Sequence, residues 1–362
     1  MSIHAGLIRA VFLFDVAEAA DLSRLTAFAG PSTDARLSFK QVTPRYVQYQ
    51  QPPLTIDGEA LGMAEVEGLR LRVRIYDFAV VSLALTRTFA GSWAELVETG
   101  RALMESTTLG PAAEAACRRI VERLHAAFDE PRRQFLSEDY YVFGVSALDE
   151  AMNAETLLDR HGGDIATLLR GERSTLARQE RDEVLRNRLS YFDDDLVVPT
   201  WASAFIYDRP AGIDGALDIF ELANSQLLTF RYYDDLLDRE LGGIYAELKR
   251  PGHARFLKTR RSLRSADRIH ALFVEVNELT DKSENALKLV GDVYAARLYA
   301  LTAARLGLDR WKANVEEKLA TLDAIYRFAV DQTQMSRGHL LELTIVAILV
   351  LELVLVFLGI MK

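Results

Sequence analysis

Two hydrophobic periodicities divide this chain. Up to about residue 209, short apolar runs of strand character are interleaved with helical stretches; beyond Pro210 the spacing becomes helical and stays so. LIRAVFLFD (Leu7–Asp15) reads as a strand, and ADLSRLTAFAG (Ala20–Gly30) as a short helix stopped by glycine. Leu69 to Leu85 alternates first, with Leu71, Val73 and Ile75 one way and Arg72 and Arg74 the other, and then becomes continuously apolar. That predicts one or two strands, the second buried. Ser92 is placed to cap the helix that follows, and Pro111–Phe128 has the stripe of an amphipathic helix with proline near its start. Tyr140–Leu148 reads as a strand, Ser174–Asn187 as a charged helix, and Arg188–Asp208 as a return to strand.

The helical half predicts one long element from Gly212 to Lys249, broken by Pro251–Gly252. Two further segments follow, from about Ala254 to Asn277 and from Ser283 to Leu306, the latter stopped by Gly307 with Asp309 placed to cap its successor. From there Val315, Leu319, Leu322, Tyr326, Ala329, Thr333, Ser336 and Leu340 alternate spacings of four and three, a heptad seam. The chain then runs apolar on every face from Leu340 to Met361, broken only by Glu342 and Glu352. As a helix this run is about 33 Å long, enough for a hydrocarbon core of about 30 Å. A central acid costs about 3 kcal/mol there, against roughly −4 to −8 kcal/mol from fourteen Leu, Ile, Val and Phe residues. The expected fold class is therefore α+β: a mixed α/β domain over residues 1–209, a helical domain with an αα-hairpin over 210–338, and one transmembrane helix over 339–361.

Composition changes this picture little. At 49% hydrophobic and 26% charged the chain is globular, and a net charge of −9 speaks against a general polyanion binder, so no DNA partner is expected. One cysteine, Cys117, excludes an intrachain disulfide and a cysteine-based zinc site, and its helical flanks predict a buried thiol. The N-terminal apolar stretch is broken by Arg9 and followed by Asp15 and Glu18, which does not fit a signal peptide. With Arg327 and Arg337 before the apolar run and Lys362 after it, the expected location is a bacterial cytoplasmic membrane, single span, with the bulk on the cytoplasmic side.

The chemistry on offer is sparse. No G-x-x-x-x-G-K-[ST], no H-E-x-x-H and no strand followed by G-x-G-x-x-G occurs, and the six histidines are scattered. Gly144–Leu148 misses the G-x-S-x-G pattern at its last position. Two acidic clusters remain, Asp193–Asp195 before a strand and Asp234, Asp235 and Asp238 on a helix. Asp234 and Asp238, four residues apart, share a helical face that a divalent cation such as Mg²⁺ can bridge; the alternative is a solvated face paired with Arg231 and Arg239. His161-Gly-Gly-Asp164 reads as a turn. Lys249 to Arg268 carries eight basic residues against Asp267, a net +7 in an acidic chain, with Lys258, Arg260, Arg261, Arg264 and Arg268 at its heart. Such a strip suits anionic headgroups or RNA phosphates; the alternative is pairing with the chain's own acids. Glu352, deep in the apolar run, suggests helix association in the membrane, with Glu342 at the interface.

Several stretches resemble the YagE, or required-for-meiotic-nuclear-division, family of single-span membrane proteins. They are YDFAVVSLAL (Tyr76–Leu85), DDLVVPTWASAF (Asp194–Phe205), IFELANSQLLTFRYYDD (Ile219–Asp235), LGLDRWKANVEEKL (Leu306–Leu319) and the spacing of Glu342 from Glu352. The family's serine-rich stretch is represented here only by VPTWASAFIYDRPAG. The resemblance implies a membrane-anchored assembly factor that supports translation, with no established activity and no cofactor. The functional expectation is a non-enzymatic tail-anchored scaffold that presents a cytoplasmic domain to RNA or the translation machinery and self-associates through its membrane helix. The alternatives are a metal-dependent enzyme using Asp234 and Asp238, and an oligomeric channel or transporter subunit.

Overall fold

The structure is a computed structural model that describes residues 2–29, 53–248, 274, 276, 293–325, 327, 345 and 346. Its first element, β1 (Ser2–Asp15), is the centre of the fold. A two-residue strand β2 (Ala19–Ala20) and helix α1 (Leu22–Ala29) follow, then β3 (Leu54–Asp57), β4 (Glu65–Val66), β5 (Leu69–Ile75) and β6 (Val80–Ser92). Helices α2 (Trp93–Met104) and α3 (Leu109–Arg123) lead through β7 (Phe128–Asp129) to β8 (Leu136–Leu148). Helices α4 (Ala154–Arg170) and α5 (Arg178–Arg186) precede β9 (Leu196–Pro199) and β10 (Ser203–Tyr207). The long α6 (Pro210–Leu248) comes next, with Pro210 in the first turn where no N–H is missed. A helix Val293–Leu306 and helical residues 308–325 complete the described chain.

The main sheet runs β3-β5-β6-β1-β8-β10-β9, with β4 also paired to β5. All pairings are antiparallel except β8 with β10, which are joined through α4, α5 and β9. The strand pleat sends alternate side chains to opposite faces. On one face Ile8, Ala10, Phe12 and Phe14 of β1 join Val73, Leu83, Leu85, Phe143, Val145 and Phe205 in one apolar cluster with α2, α3 and α4. Burying each large side chain of this kind contributes about 1.5–3 kcal/mol. Gly100 marks a close approach: a Cβ there would lie 2.7 Å from the Phe143 ring, and it would also overlap Leu168. Ser92 forms the expected cap of α2, its hydroxyl accepting from the Glu95 N–H while the Glu95 carboxylate accepts from Ser92. The opposite face, with Arg9, Val11, Leu13 and Asp15, lies beneath the first half of α6; Phe220 meets Tyr140 at 5.6 Å between ring centroids.

Two compact units are present. The first comprises Met1–Tyr232 and Lys282–Trp311; the second comprises Tyr233–Asp281 and Lys312–Lys362. In the second unit Leu236, Leu237 and Leu241 are buried, as are Val315, Leu319 and Leu322 at the head of the heptad seam. The seam's later positions lie outside the described residues. Gly307 ends the preceding helix in the left-handed region, at φ 69°, as its position suggests, and the chain turns helical again at once.

Two expectations are corrected. His161–Asp164 is not a turn but part of α4; a Cβ at Gly162 would sit 3.1 Å from Leu185, so the missing side chain lets α5 pack closely. The transmembrane part of the fold class is overturned as well. Among the described residues no helix is long and apolar enough to cross a membrane. Helix α6 has the length, with 39 residues, but its charged positions from Asp214 to Glu240 deny it an apolar window. The run containing Glu342 and Glu352 lies outside the described residues, save for Ile345 and Val346. The tail anchor, the membrane class and the single-span location are set aside with it; the α+β class with a large sheet stands.

Candidate functional site

Charge is concentrated where the first half of α6 crosses the sheet. Asp214, Asp218 and Glu221 fall at i, i+4 and i+7, so they form a ladder on one side of the helix. Strand β5 sends Arg70, Arg72 and Arg74 to the facing side of the sheet, and β1 adds Arg9. Arg74 joins the two rows: it donates to Asp218 at 2.6 Å, to Glu221 at 3.1 Å and to the Thr55 hydroxyl at 3.4 Å. Burial works against the Arg74 charge, but Glu221 and Asp218 outweigh it and hold the guanidinium above its ordinary range. Glu221 is buried, and its other oxygen, Oε1, has no partner among the described residues.

Arg9 differs from Arg74 in this array. It is 7% exposed, and among the described residues its only hydrogen bond runs from Nε to the Thr86 hydroxyl, at 2.8 Å. Among the described residues no carboxylate forms an ion pair with it within 4 Å. Burial lowers its pKa to about 10; Glu221 resists that shift and Arg72 adds to it. The guanidinium remains charged at neutral pH.

Further along the same helix, Arg132 ties α6 to the end of β1. Its Nε donates to Asp15 at 2.6 Å, an amino group donates to the Tyr232 hydroxyl at 2.5 Å, and the guanidinium lies 3.7 Å over the Tyr232 ring. Burial raises the Asp15 carboxyl to about 6 although Arg132 opposes it. Arg231 pairs with Glu138 on β8, not with Asp235.

Asp234 and Asp238 do share a face, and the cation between them belongs to the protein: Lys318 Nζ lies 2.7 Å from each carboxylate. Burial pulls the Lys318 pKa down, and the hydrogen bonds that Lys318 donates to Asp234 and Asp238 more than reverse that. Asp235 pairs with Arg239 as expected. Among the described residues no group of three or more His, Cys, Asp or Glu side chains is arranged to hold a metal ion. Lys258, Arg260, Arg261, Arg264 and Arg268 lie outside the described residues, as do Glu342 and Glu352. In the first acidic cluster Asp195 accepts from the backbone N–H groups of Tyr191 and Phe192, which fixes the approach to β9.

The hairpin from β9 to β10 presents a different kind of feature. Trp201 at its tip is 65% exposed, an unusual state for so large an apolar side chain. Its base is rigid. Thr200 N–H donates to Ser203 O at 2.7 Å, Ser203 N–H donates to the Thr200 hydroxyl at 3.0 Å, and the buried Tyr140 hydroxyl donates to Thr200 O at 3.1 Å. Sequence reasoning missed both Trp201 and the Arg9–Arg74–Glu221 array. The signal for the array was a charged residue inside an apolar strand run, facing three acids at helical spacing.

A family model described as the N-terminal domain of Uncharacterized protein MJ0711 matches residues 5–214, more than half of the chain, and the chain belongs to that family. It is 25% identical over 219 residues to Uncharacterized protein MJ0711 of Methanocaldococcus jannaschii. That match takes in 60% of this chain and 65% of the relative, so it spans less than two thirds of the relative's length. No solved structure matches. The resemblance to the YagE family is thereby corrected. Of the stretches that carried it, Tyr76–Leu85 is a tight turn with a buried strand, Asp194–Phe205 lies in the β9–β10 hairpin, and Ile219–Asp235 and Leu306–Leu319 are helical; apolar patterns of these kinds recur across α+β folds. The family match takes in Arg9, Asp15, Arg74, Arg132 and Trp201 and ends before Asp218 and Glu221.

Proposed function

We propose that this member of the MJ0711 N-terminal-domain family is a non-enzymatic adaptor that captures a macromolecular partner through the β9–β10 hairpin. The observation that carries this reading is Trp201: a large apolar side chain held in water on a hairpin that buried hydrogen bonds make rigid. Holding it there costs solvation in the free protein, and a partner that covers the indole recovers it. Tryptophan is among the residues that dominate binding energy at interfaces, with losses of 2 kcal/mol or more, roughly, when truncated. A preorganised base also spares the ordering cost of binding.

The long α6 suits the same role. Its first half is fastened to the sheet by Arg74, Arg132 and Arg231. Asp218, Glu221 and Arg231 on that half are engaged in holding the fold. The array therefore supports a scaffold better than it supports a metal-dependent enzyme built on Asp234 and Asp238, whose cation is Lys318.

The test is affinity purification of tagged wild type and Trp201→Ala from the native host, with identification of co-eluting protein and RNA and of untagged copies of the chain. The expected result is a partner recovered with the wild type and reduced at least tenfold with the variant, as an interfacial tryptophan implies. Equal recovery with both defeats the hairpin as the capture surface.

A further inference from the structure

We infer that Tyr191, Phe192 and Asp193, on the loop that enters β9, form a docking site for the arginine of a basic peptide segment on a partner. The site lies at the other end of β9 from Trp201, about 13 Å along the strand, and the inference does not depend on the adaptor reading.

Two aromatic side chains reach into water there. Phe192 is 50% exposed and Tyr191 38%. Their rings meet edge to face, with centroids 4.8 Å apart and planes at 89°, and together make a right-angled corner. Tyr294, itself buried, backs the corner from the helix Val293–Leu306, its ring 5.6 Å from that of Tyr191 at 71°. The backbone beneath is held in place. The Asp195 carboxylate accepts from the N–H groups of Tyr191 and Phe192 at 2.8 and 2.9 Å, and Asp193 O accepts from the Ala154 N–H at 2.7 Å. A ligand therefore meets a surface that is already ordered, which favours binding.

Charge decides what suits the corner. The face of an aromatic ring carries negative potential and attracts a cation, arginine more often than lysine. Asp193 follows Phe192 in the chain, so their Cα atoms are about 3.8 Å apart. It is exposed, and its carboxylate has no hydrogen bond or ion pair among the described residues. Of the other charges on this loop, Asp195 is engaged by the backbone, Asp194 pairs with Arg209 at 3.3 Å, and Arg188 donates to Leu185 O at 2.9 Å. An RNA would bring phosphates against Asp193 and Asp194, and like charges set together oppose association. A purely apolar partner would cover the Asp193 carboxylate without pairing it, which is costly. Arginine meets both demands: its planar guanidinium stacks on a ring while its N–H fork reaches a carboxylate.

The experiment is calorimetric titration of the full chain with a short capped peptide of alternating glycine and arginine, with its counterpart carrying citrulline for arginine, and with a single-stranded RNA oligonucleotide. The arginine peptide should bind more tightly than either. Phe192→Leu keeps an apolar side chain but removes the ring, and should weaken the arginine peptide about two- to fivefold, the range for a cation–π contact at an exposed site. Asp193→Asn should weaken it by a similar factor, as for a surface ion pair. Both positions are exposed, so the fold is retained. Glu59→Gln removes an exposed acid beside β3, at the opposite end of the sheet, and should leave the affinity unchanged. The inference is overturned if the arginine peptide does not bind at millimolar concentration or the citrulline peptide binds equally well. It is also overturned if Phe192→Leu has no effect, if Glu59→Gln weakens binding as much as Asp193→Asn, or if the RNA is the tighter ligand and loses affinity in Phe192→Leu.

Discussion

Asp15 shows how one residue's surroundings set a pH response. Its carboxyl titrates at 3.8 when unfolded and at about 6 in the fold, raised by burial against the pull of Arg132. Between those values the folded protein holds a proton that the unfolded chain has released. The contribution of Asp15 to stability is therefore complete below pH 3.8 and is lost as pH rises through about 6. At 1.36 kcal/mol per unit the change is about 3 kcal/mol. Asp15→Asn removes the titration, so the stability of wild type relative to the variant should fall by about this amount between about pH 4 and pH 7. Urea midpoints across that range measure it, and a pH-independent difference would rule the shift out. Cys117 makes a second residue-scale case. Burial raises its thiol far above the usual range, so the native protein should give no adduct with iodoacetamide at pH 8, while denatured protein labels fully. The buried thiol was legible in the sequence because Cys117 lies in an amphipathic helical stretch. The environment of Asp15 was not, because its partner Arg132 is 117 residues away.

Element-scale organisation was legible wherever it depends on local pattern. The expectation of a long helix from Gly212 to Lys249 matches α6 closely, and the Ser92 cap appears where the spacing put it. The two-part reading of Leu69–Leu85 resolves into β5 and β6, with the bend at Tyr76–Ala79. What pattern could not supply was the pairing of Arg74 with Asp218 and Glu221, which are 144 and 147 residues away. That pairing arises only when the alternation of β5 and the helical spacing of α6 are laid against one another. Arg74→Ala leaves Glu221 buried without a partner and should cost about 3–5 kcal/mol by denaturant unfolding. The double variant Arg74→Ala/Glu221→Ala should recover part of that loss, because the stranded carboxylate is gone as well. Strict additivity of the two single losses would mean the pair is not coupled.

At the scale of the whole molecule, α6 belongs to both compact units, the boundary falling at Tyr232–Tyr233. A boundary read from composition falls instead at residue 210, where the spacing of apolar residues changes, because periodicity reports the type of element and not what it packs against. The membrane expectation failed for a related reason: a run of apolar residues fixes a hydropathy but not a destination. The units nevertheless differ in what sustains them. The apolar cluster on one face of the sheet is drawn wholly from residues before Tyr232, so the sheet does not need the second half of α6 for its core. Asp235→Pro tests this. Asp235 is exposed, so the substitution removes little packing, but proline deletes an internal helix hydrogen bond and clashes with the preceding turn, at roughly 3 kcal/mol or more. It also disturbs the face on which Lys318 meets Asp234 and Asp238. Helical circular dichroism should fall and protease cleavage should appear near residue 235, while Cys117 stays closed to iodoacetamide, since its surroundings lie in the sheet unit. If Cys117 becomes reactive in the variant under native conditions, the sheet's integrity depends on the whole of α6, and the two units fold as one.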